Sequence, residues 1–159
     1  MAKNTREQTT PAPRVRKAWR VTIKGYDSSG IEFAPTAGKA RVSAWRSIDN
    51  GETRIVDVVA RRAPESDVLL PVPDAETLSL PDDQRHCLLH AFGGNGDPAK
   101  AGNRDYFYTY RDDPPLVGLT ERGLMKPMDG DKFGENMTYF VLTPAGKRAA
   151  LSLVPEYRQ

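Results

Sequence analysis

Both histidines and the single cysteine of the chain fall within one predicted helix, at His86, Cys87 and His90. Residues four apart on a helix share a face, and imidazole and thiolate are zinc ligands. A closed zinc site takes four ligands, however, and no carboxylate lies at a recognised ligand spacing. We therefore expect no metal and no cofactor. His90 is predicted half-buried with a hydrogen bond to the following loop, His86 exposed, and Cys87 inert among apolar neighbours.

A dense aromatic run reads Tyr-Phe-Tyr-Thr-Tyr over residues 106–110, with Arg104 before it and Arg111 after it. Exposed aromatic rings beside guanidinium groups can stack nucleic-acid bases. The alternative is that Phe107 and one or two tyrosines lie in the core while the other rings stay exposed. A contact with a partner protein would use the exposed members of this set: Tyr106, Tyr108, Tyr110 and Arg111.

No group of residues predicts a catalytic centre. Gly93-Gly94-Asn95-Gly96 lacks the Gly-Lys-Ser/Thr that completes a phosphate-binding loop. Asp112 and Asp113 precede a predicted helix, where carboxylates serve as caps, so the pair needs no acid–base role. We expect the protein not to be an enzyme.

Positive charge is concentrated in the first part of the chain. The 159 residues carry a net charge of +2. Residues 1–62 hold 13 basic and 6 acidic side chains, residues 63–83 hold 6 acidic and no basic ones, and residues 84–159 hold 10 basic and 9 acidic. A basic arm is attracted to nucleic-acid phosphates or to an acidic partner, and the same charges suit a solvated, disordered leader.

Composition excludes several classes of protein. The hydrophobic fraction is 38%, with 13 glycines and 13 prolines, and the mean hydropathy is −0.58. No apolar run approaches the roughly 18 residues of a spanning helix, and the first residues have no apolar core of a signal peptide. The lone Cys87 rules out an internal disulfide and favours a reducing, cytoplasmic setting.

The N-terminal part predicts a flexible basic tail, residues 1–16, followed by a ββαβ unit, residues 17–62. Alternating apolar residues across 18–34 predict a β-hairpin. Thr36 is a candidate N-cap for the helix that follows, which ends before Gly51, and β-branched residues then predict the last strand.

A second unit is predicted at residues 80–154, between an acidic, proline-rich linker at 63–79 and a tail at 155–159. The linker is expected to be semi-extended, with Val68-Leu69-Leu70 able to dock as an edge strand or onto a groove. Its pattern reads helix, loop, helix, two strands and helix. The loop is residues 93–113, and the helix after it is 114–123. Together the two units predict an α+β fold.

The second unit contains a helix-to-strand step, Glu121-Arg122-Gly123-Leu124-Met125, then a hairpin, then Tyr-Phe-Val-Leu-Thr-Pro-Ala-Gly over 139–146. Residues 116–151 thereby resemble the C-terminal part of a winged-helix domain of the MarR or PadR repressor type. The resemblance implies a wing between the two strands and contact with DNA. It departs from the family where a loop replaces one helix, and the unit is accordingly a degenerate winged helix.

Three short segments resemble uncharacterised small proteins of phages and prophages: Gly38-Lys39-Ala40-Arg41, Leu88 to Gly93, and Asn103 to Phe107. This likeness covers most of residues 18–151. It implies an accessory protein of a mobile element in the cytoplasm of a bacterial host, and it carries no activity.

The sequence therefore predicts a non-enzymatic phage-type accessory protein that binds nucleic acid through its basic arm and wing. The alternative is a protein-interaction module that inhibits or modulates a host complex, such as a defence complex. The cations expected to contact nucleic acid are Arg14, Arg16, Lys17, Arg20, Lys39, Arg41, Arg122, Lys126 and Lys132.

Overall fold

The computed structural model describes residues 14–48, 51–128 and 136–155. Within these ranges helices and three small antiparallel sheets combine into an α+β fold, so the predicted class is confirmed. The strands are β1 Arg14–Arg16, β2 Ala18–Ile23, β3 Ser29–Phe33, β4 Val58–Arg62, β5 Val68–Leu70, β6 Tyr106–Tyr110, β7 Met125–Pro127 and β8 Met137–Leu142. The helices are α1 Ala37–Ser47, α2 Ala75–Leu78, α3 Asp82–Ala91, α4 Pro114–Glu121 and α5 Pro144–Leu153.

The first sheet has the strand order β3-β2-β4 and packs one face against α1. The Thr36 side chain caps α1 by accepting a hydrogen bond from the backbone N–H of Lys39, as the sequence predicts. The core between sheet and helix is small and centres on Val21, Ala44 and Val58. Trp45, on α1, is 39% exposed and does not belong to this core.

The second sheet has the order β6-β8-β7, and α3, α4 and α5 belong to the same packed body. Its core is the larger one, with Phe140, Leu116 and Leu119 fully buried. Gly146 permits the close approach of α5, because a Cβ there would lie 1.9 Å from the Leu124 carbonyl oxygen. The assignment of this part to a winged helix stays a prediction.

A two-stranded sheet, β1 with β5, connects the two parts of the chain. The Arg14 guanidinium donates to the carbonyls of Ser152 and Val154 near the end of α5, at 2.5 and 3.0 Å, and to Pro71 at 2.8 Å. The last residues of the predicted flexible tail, Arg14–Arg16, are therefore a strand. That part of the tail prediction was wrong because its partners lie far away in sequence.

Two other segments, predicted as a linker and as a loop, also contain regular structure. The linker predicted at 63–79 includes β5 and the short helix α2, which Asp74 caps by accepting from the N–H of Thr77 at 2.7 Å. The loop predicted at 93–113 includes β6, an edge strand of the second sheet. Among the described residues, no helix is long and apolar enough to cross a membrane.

Candidate nucleic-acid interface

Strand β6 divides its side chains between two environments. Phe107 packs against the core of the second sheet, and the Thr109 hydroxyl donates to the Asp113 carboxylate at 2.8 Å. Tyr106, Tyr108 and Tyr110 point to the opposite face, because successive side chains alternate across a strand. Their exposed fractions are 43%, 39% and 58%.

Strands β8 and β7 extend that outer face. In the register of the sheet, Tyr108 lies opposite Tyr139, and Tyr106 lies opposite Val141. Val141 in turn lies opposite Lys126 on the far side of β8. We call this surface the tyrosine face; its members are Tyr106, Tyr108, Tyr110, Lys126, Met137, Tyr139 and Val141.

The rings of the tyrosine face are in mutual contact. Tyr139 lies 5.3 Å from Tyr106 in an edge-on arrangement and 4.7 Å from Tyr108 in a tilted one, measured between ring centroids. Such contacts favour defined ring orientations and contribute about 0.5–1.5 kcal/mol per pair beyond the area they bury. The surface is therefore a pre-ordered aromatic platform.

Positive charge borders this platform. The Arg104 guanidinium carbon lies 5.6 Å from the centroid of the Tyr106 ring. The same guanidinium is held from behind, since its Nε donates to the His90 carbonyl at 3.0 Å. Lys126 is exposed on the sheet itself.

Two of the cations predicted to contact nucleic acid serve inside the protein. Arg14 donates to backbone carbonyls as described above. Arg16 is 4% exposed, lies over the Phe33 ring at 4.3 Å, and donates to the carbonyls of Ala99 and Ala101 at 2.8 and 2.9 Å. Both guanidinium groups therefore serve mainly to hold β1 against the rest of the chain.

The remaining predicted cations are scattered. Arg20 forms an ion pair with Glu65 at 2.9 Å, and Arg41 donates to the Ile55 carbonyl at 2.9 Å. Lys17, Lys39 and Arg122 are exposed. Lys126 alone of the nine belongs to the tyrosine face, and Lys132 lies outside the described residues.

The histidine and cysteine side chains on α3 contact other side chains of the protein. The His86 ring lies 3.3 Å from the Asn95 side-chain amide, and the centroid of the His90 ring lies 4.6 Å from that of the Phe107 ring.

The surroundings of these groups shift their pKa values. Burial, then the charges of Arg104 and His86, lowers the pKa of His90. Burial, then the charges of Asp113 and Asp83, raises the pKa of Cys87 to about 11, so at neutral pH this residue is a thiol. Within the described part of the chain, no three His, Cys, Asp or Glu side chains form a group that could hold a metal ion.

Sequence reasoning identified Tyr106, Tyr108 and Tyr110 but not the other half of the surface. Met137, Tyr139 and Val141 alternate with the buried Thr138, Phe140 and Leu142 along β8. That period of two was visible in the sequence, but only the pairing of β8 with β6 shows that both sets share a face.

Comparison of the chain with protein-family models, with curated proteins and with solved structures found no match.

Proposed function

We propose that the protein binds single-stranded nucleic acid, with bases stacking on the tyrosine face. The observation that carries this proposal is the alignment of four tyrosines on one outer sheet face, with Arg104 and Lys126 beside them. Base stacking on aromatic side chains contributes about 1–3 kcal/mol per base. Three of these rings are each more than a third exposed and so are accessible to a base.

Single strands suit this surface better than a duplex does. A duplex hides the faces of its bases, and its major groove is read by a helix that carries donors and cations. Helix α4, the counterpart of a recognition helix in the predicted winged helix, begins instead after Asp112 and Asp113. An unpaired base exposes both of its faces to a tyrosine ring.

The proposed interface is the outer face of the second sheet and not the basic arm that the sequence predicts. Arg14 and Arg16 belong to β1 and not to the second sheet, and they hold backbone carbonyls. Phosphate attraction is therefore assigned to Arg104 and Lys126, the cations beside the tyrosine rings. With two phosphates neutralised, log K should fall with log salt with a slope of about −1.4, since each contact on a single strand contributes about −0.7. The accessory role in a phage or prophage is part of the same proposal and rests on the resemblance alone.

A partner protein is the second candidate for the same surface. Tyrosine is enriched among the residues that dominate the energy of protein interfaces. Met128, whose N–H bonds the Tyr139 carbonyl at 2.8 Å, adds a side chain that is 47% exposed beside the platform. On this reading the protein would inhibit or modulate a host complex.

The test is fluorescence anisotropy with a labelled 20-nucleotide oligo(dT) and with a labelled duplex, at two salt concentrations. We expect tighter binding of the single strand, and a loss of about 5- to 150-fold for Tyr106→Ala or Tyr110→Ala. Tyr26→Ala is the matched control, because Tyr26 is 54% exposed in the turn between β2 and β3, away from the platform. Lys126→Gln should reduce the salt slope by about 0.7.

Absence of binding at low salt, or an equal loss in Tyr26→Ala, would overturn the proposal. If affinity for nucleic acid falls steeply with salt and is unchanged in the tyrosine variants, the binding surface is the basic arm and not the tyrosine face. Absence of binding to either nucleic acid, with a host protein captured by the native chain and not by Tyr106→Ala, would support the protein partner instead.

A further inference from the structure

A cleft of about 900 Å³ lies away from the tyrosine face. Its walls are strand β3 and one side of α1 on one flank, and residues 97–103 on the other. Sites for small molecules commonly have volumes of about 300–1,000 Å³. The cleft therefore has the size of a ligand site, and nothing in the proposed nucleic-acid interface uses it.

Cations line both flanks of this cleft. Lys39, Val42, Ser43 and Arg46 form one stripe along α1 at the spacing of neighbouring turns. Lys39 and Arg46 are two turns apart, which places their Cα atoms about 10 Å from each other along the helix axis. Lys100 stands on the opposite flank. The three basic side chains therefore line the cleft from two sides, two from α1 and one from residues 97–103.

The two carboxylates in the cleft are occupied by other groups. Glu32 accepts a hydrogen bond from the Ser43 hydroxyl at 3.0 Å, and Asp97 accepts one from the backbone N–H of Ala99 at 3.0 Å. Among the described residues, Lys39, Arg46 and Lys100 take part in no ion pair within 4.0 Å. The lining residues include four basic side chains, Arg16, Lys39, Arg46 and Lys100, against these two acidic ones, so the cleft has an excess of positive charge.

The deepest cation is Arg16. It is 96% buried, lines the cleft, and binds two carbonyl oxygens and the face of Phe33. No carboxylate of the described residues lies within 4.0 Å of it, and its Nε has no hydrogen-bond partner among them. A buried charge without a counter-ion is costly, and an anion in the cleft would offset that cost.

We propose that this cleft binds a small ligand that carries a di- or triphosphate group. Lys39 and Arg46 are two helical turns apart and Lys100 is on the opposite flank, so a chain of phosphates, with its several charged oxygens, suits the three cations better than a single phosphate does. Ile31 and Val42 supply an apolar wall for the rest of such a ligand. This proposal is independent of the tyrosine face.

Isothermal titration calorimetry with ATP and with inorganic triphosphate tests it, in buffer without divalent cations. We expect the native chain to bind at least one probe and the double variant Lys39→Gln/Arg46→Gln to bind about tenfold or more weakly. The control Lys24→Gln/Arg148→Gln removes the same two charges from exposed positions outside the cleft and should bind as the native chain does.

Binding of both probes identifies the phosphate chain as the recognised group. Binding of ATP alone shows that the nucleoside is recognised as well. Absence of binding to both probes overturns the proposal, as does an equal loss in the control variant. Thermal unfolding of each variant shows whether it is folded. Tyr106→Ala should leave these affinities unchanged, so the cleft and the tyrosine face can fail separately.

Discussion

The two three-stranded sheets share a plan and differ in how each of their faces is used. Each packs one face against helices and leaves the other outward. Counted over the described residues, the first sheet encloses a core of three buried residues and presents Arg20, Thr22 and Arg61 outward. The second encloses twelve buried residues in the same part of the chain and presents tyrosines outward.

The two sheets therefore differ in how much apolar burial stabilises them. A large core lets the second sheet keep aromatic rings in solvent, because apolar burial elsewhere stabilises the fold. The first part of the chain has a smaller core and depends more on polar contacts, such as those of Asp67 with Arg62 and with the Ala18 N–H. We expect substitutions in the two regions to differ accordingly.

The largest expected effect is in the second core. Phe140 is 1% exposed, and Phe140→Ala should lower the free energy of unfolding by about 3–5 kcal/mol. Val58, also 1% exposed, lies in the smaller core, and Val58→Ala should cost about 1–2 kcal/mol. Urea denaturation of both variants measures the difference, and equal costs would contradict the contrast between the two cores.

The connection between the two parts should give an intermediate effect. Arg14→Ala removes donors from three carbonyls and should lower the free energy of unfolding by about 1–3 kcal/mol. The melting temperature measures this loss, with Lys17→Ala as an exposed control. A variant that melts like the native chain but binds oligo(dT) more weakly would show that Arg14 serves the nucleic acid instead.

The smallest effect is expected at Asp67 and should depend on pH. The hydrogen bond from Arg62, followed by that from the Ala18 N–H, holds the pKa of Asp67 below its ordinary value of 3.8 despite burial. The charged form therefore stabilises the fold above pH 3.8, and this contribution is lost as the pH falls through the folded-state pKa. Asp67→Asn should cost about 1 kcal/mol at pH 7. The gap in melting temperature from the native chain should close below pH 3.8, and a gap that persists there would exclude the charge as its origin.

Local patterns in the sequence predict the elements whose causes are local. The hairpin of β2 and β3, the Thr36 cap and the last helix follow from alternation, capping chemistry and helical spacing. Strands β1 and β5 have three residues each, and their pairing joins Val15 to Leu69. Neighbouring residues do not show that these two strands pair, because the pair is stabilised by contacts that are distant in sequence.

The candidate site was predictable in part for the same reason. Composition and spacing single out the tyrosines of β6, but their orientation depends on Phe107 meeting Phe140 across the sheet. Charge density likewise singles out Arg14 and Arg16, yet the charge count does not show that backbone carbonyls already occupy these guanidinium groups. Position in the fold decides which cations are free to attract a ligand.

The segment that forms the first sheet and α1 lies in sequence between β1 and β5, and the pairing of these two strands brings its two ends together. The ladder joins Arg16 to Val68, so the chain leaves and returns within one strand spacing after more than fifty residues. Closing so long a loop costs entropy before any contact compensates for it, and contacts of this kind form slowly. In kinetic terms, docking of Arg14–Arg16 should therefore be a late step in folding, after each of the larger sheets has formed its own hydrophobic core.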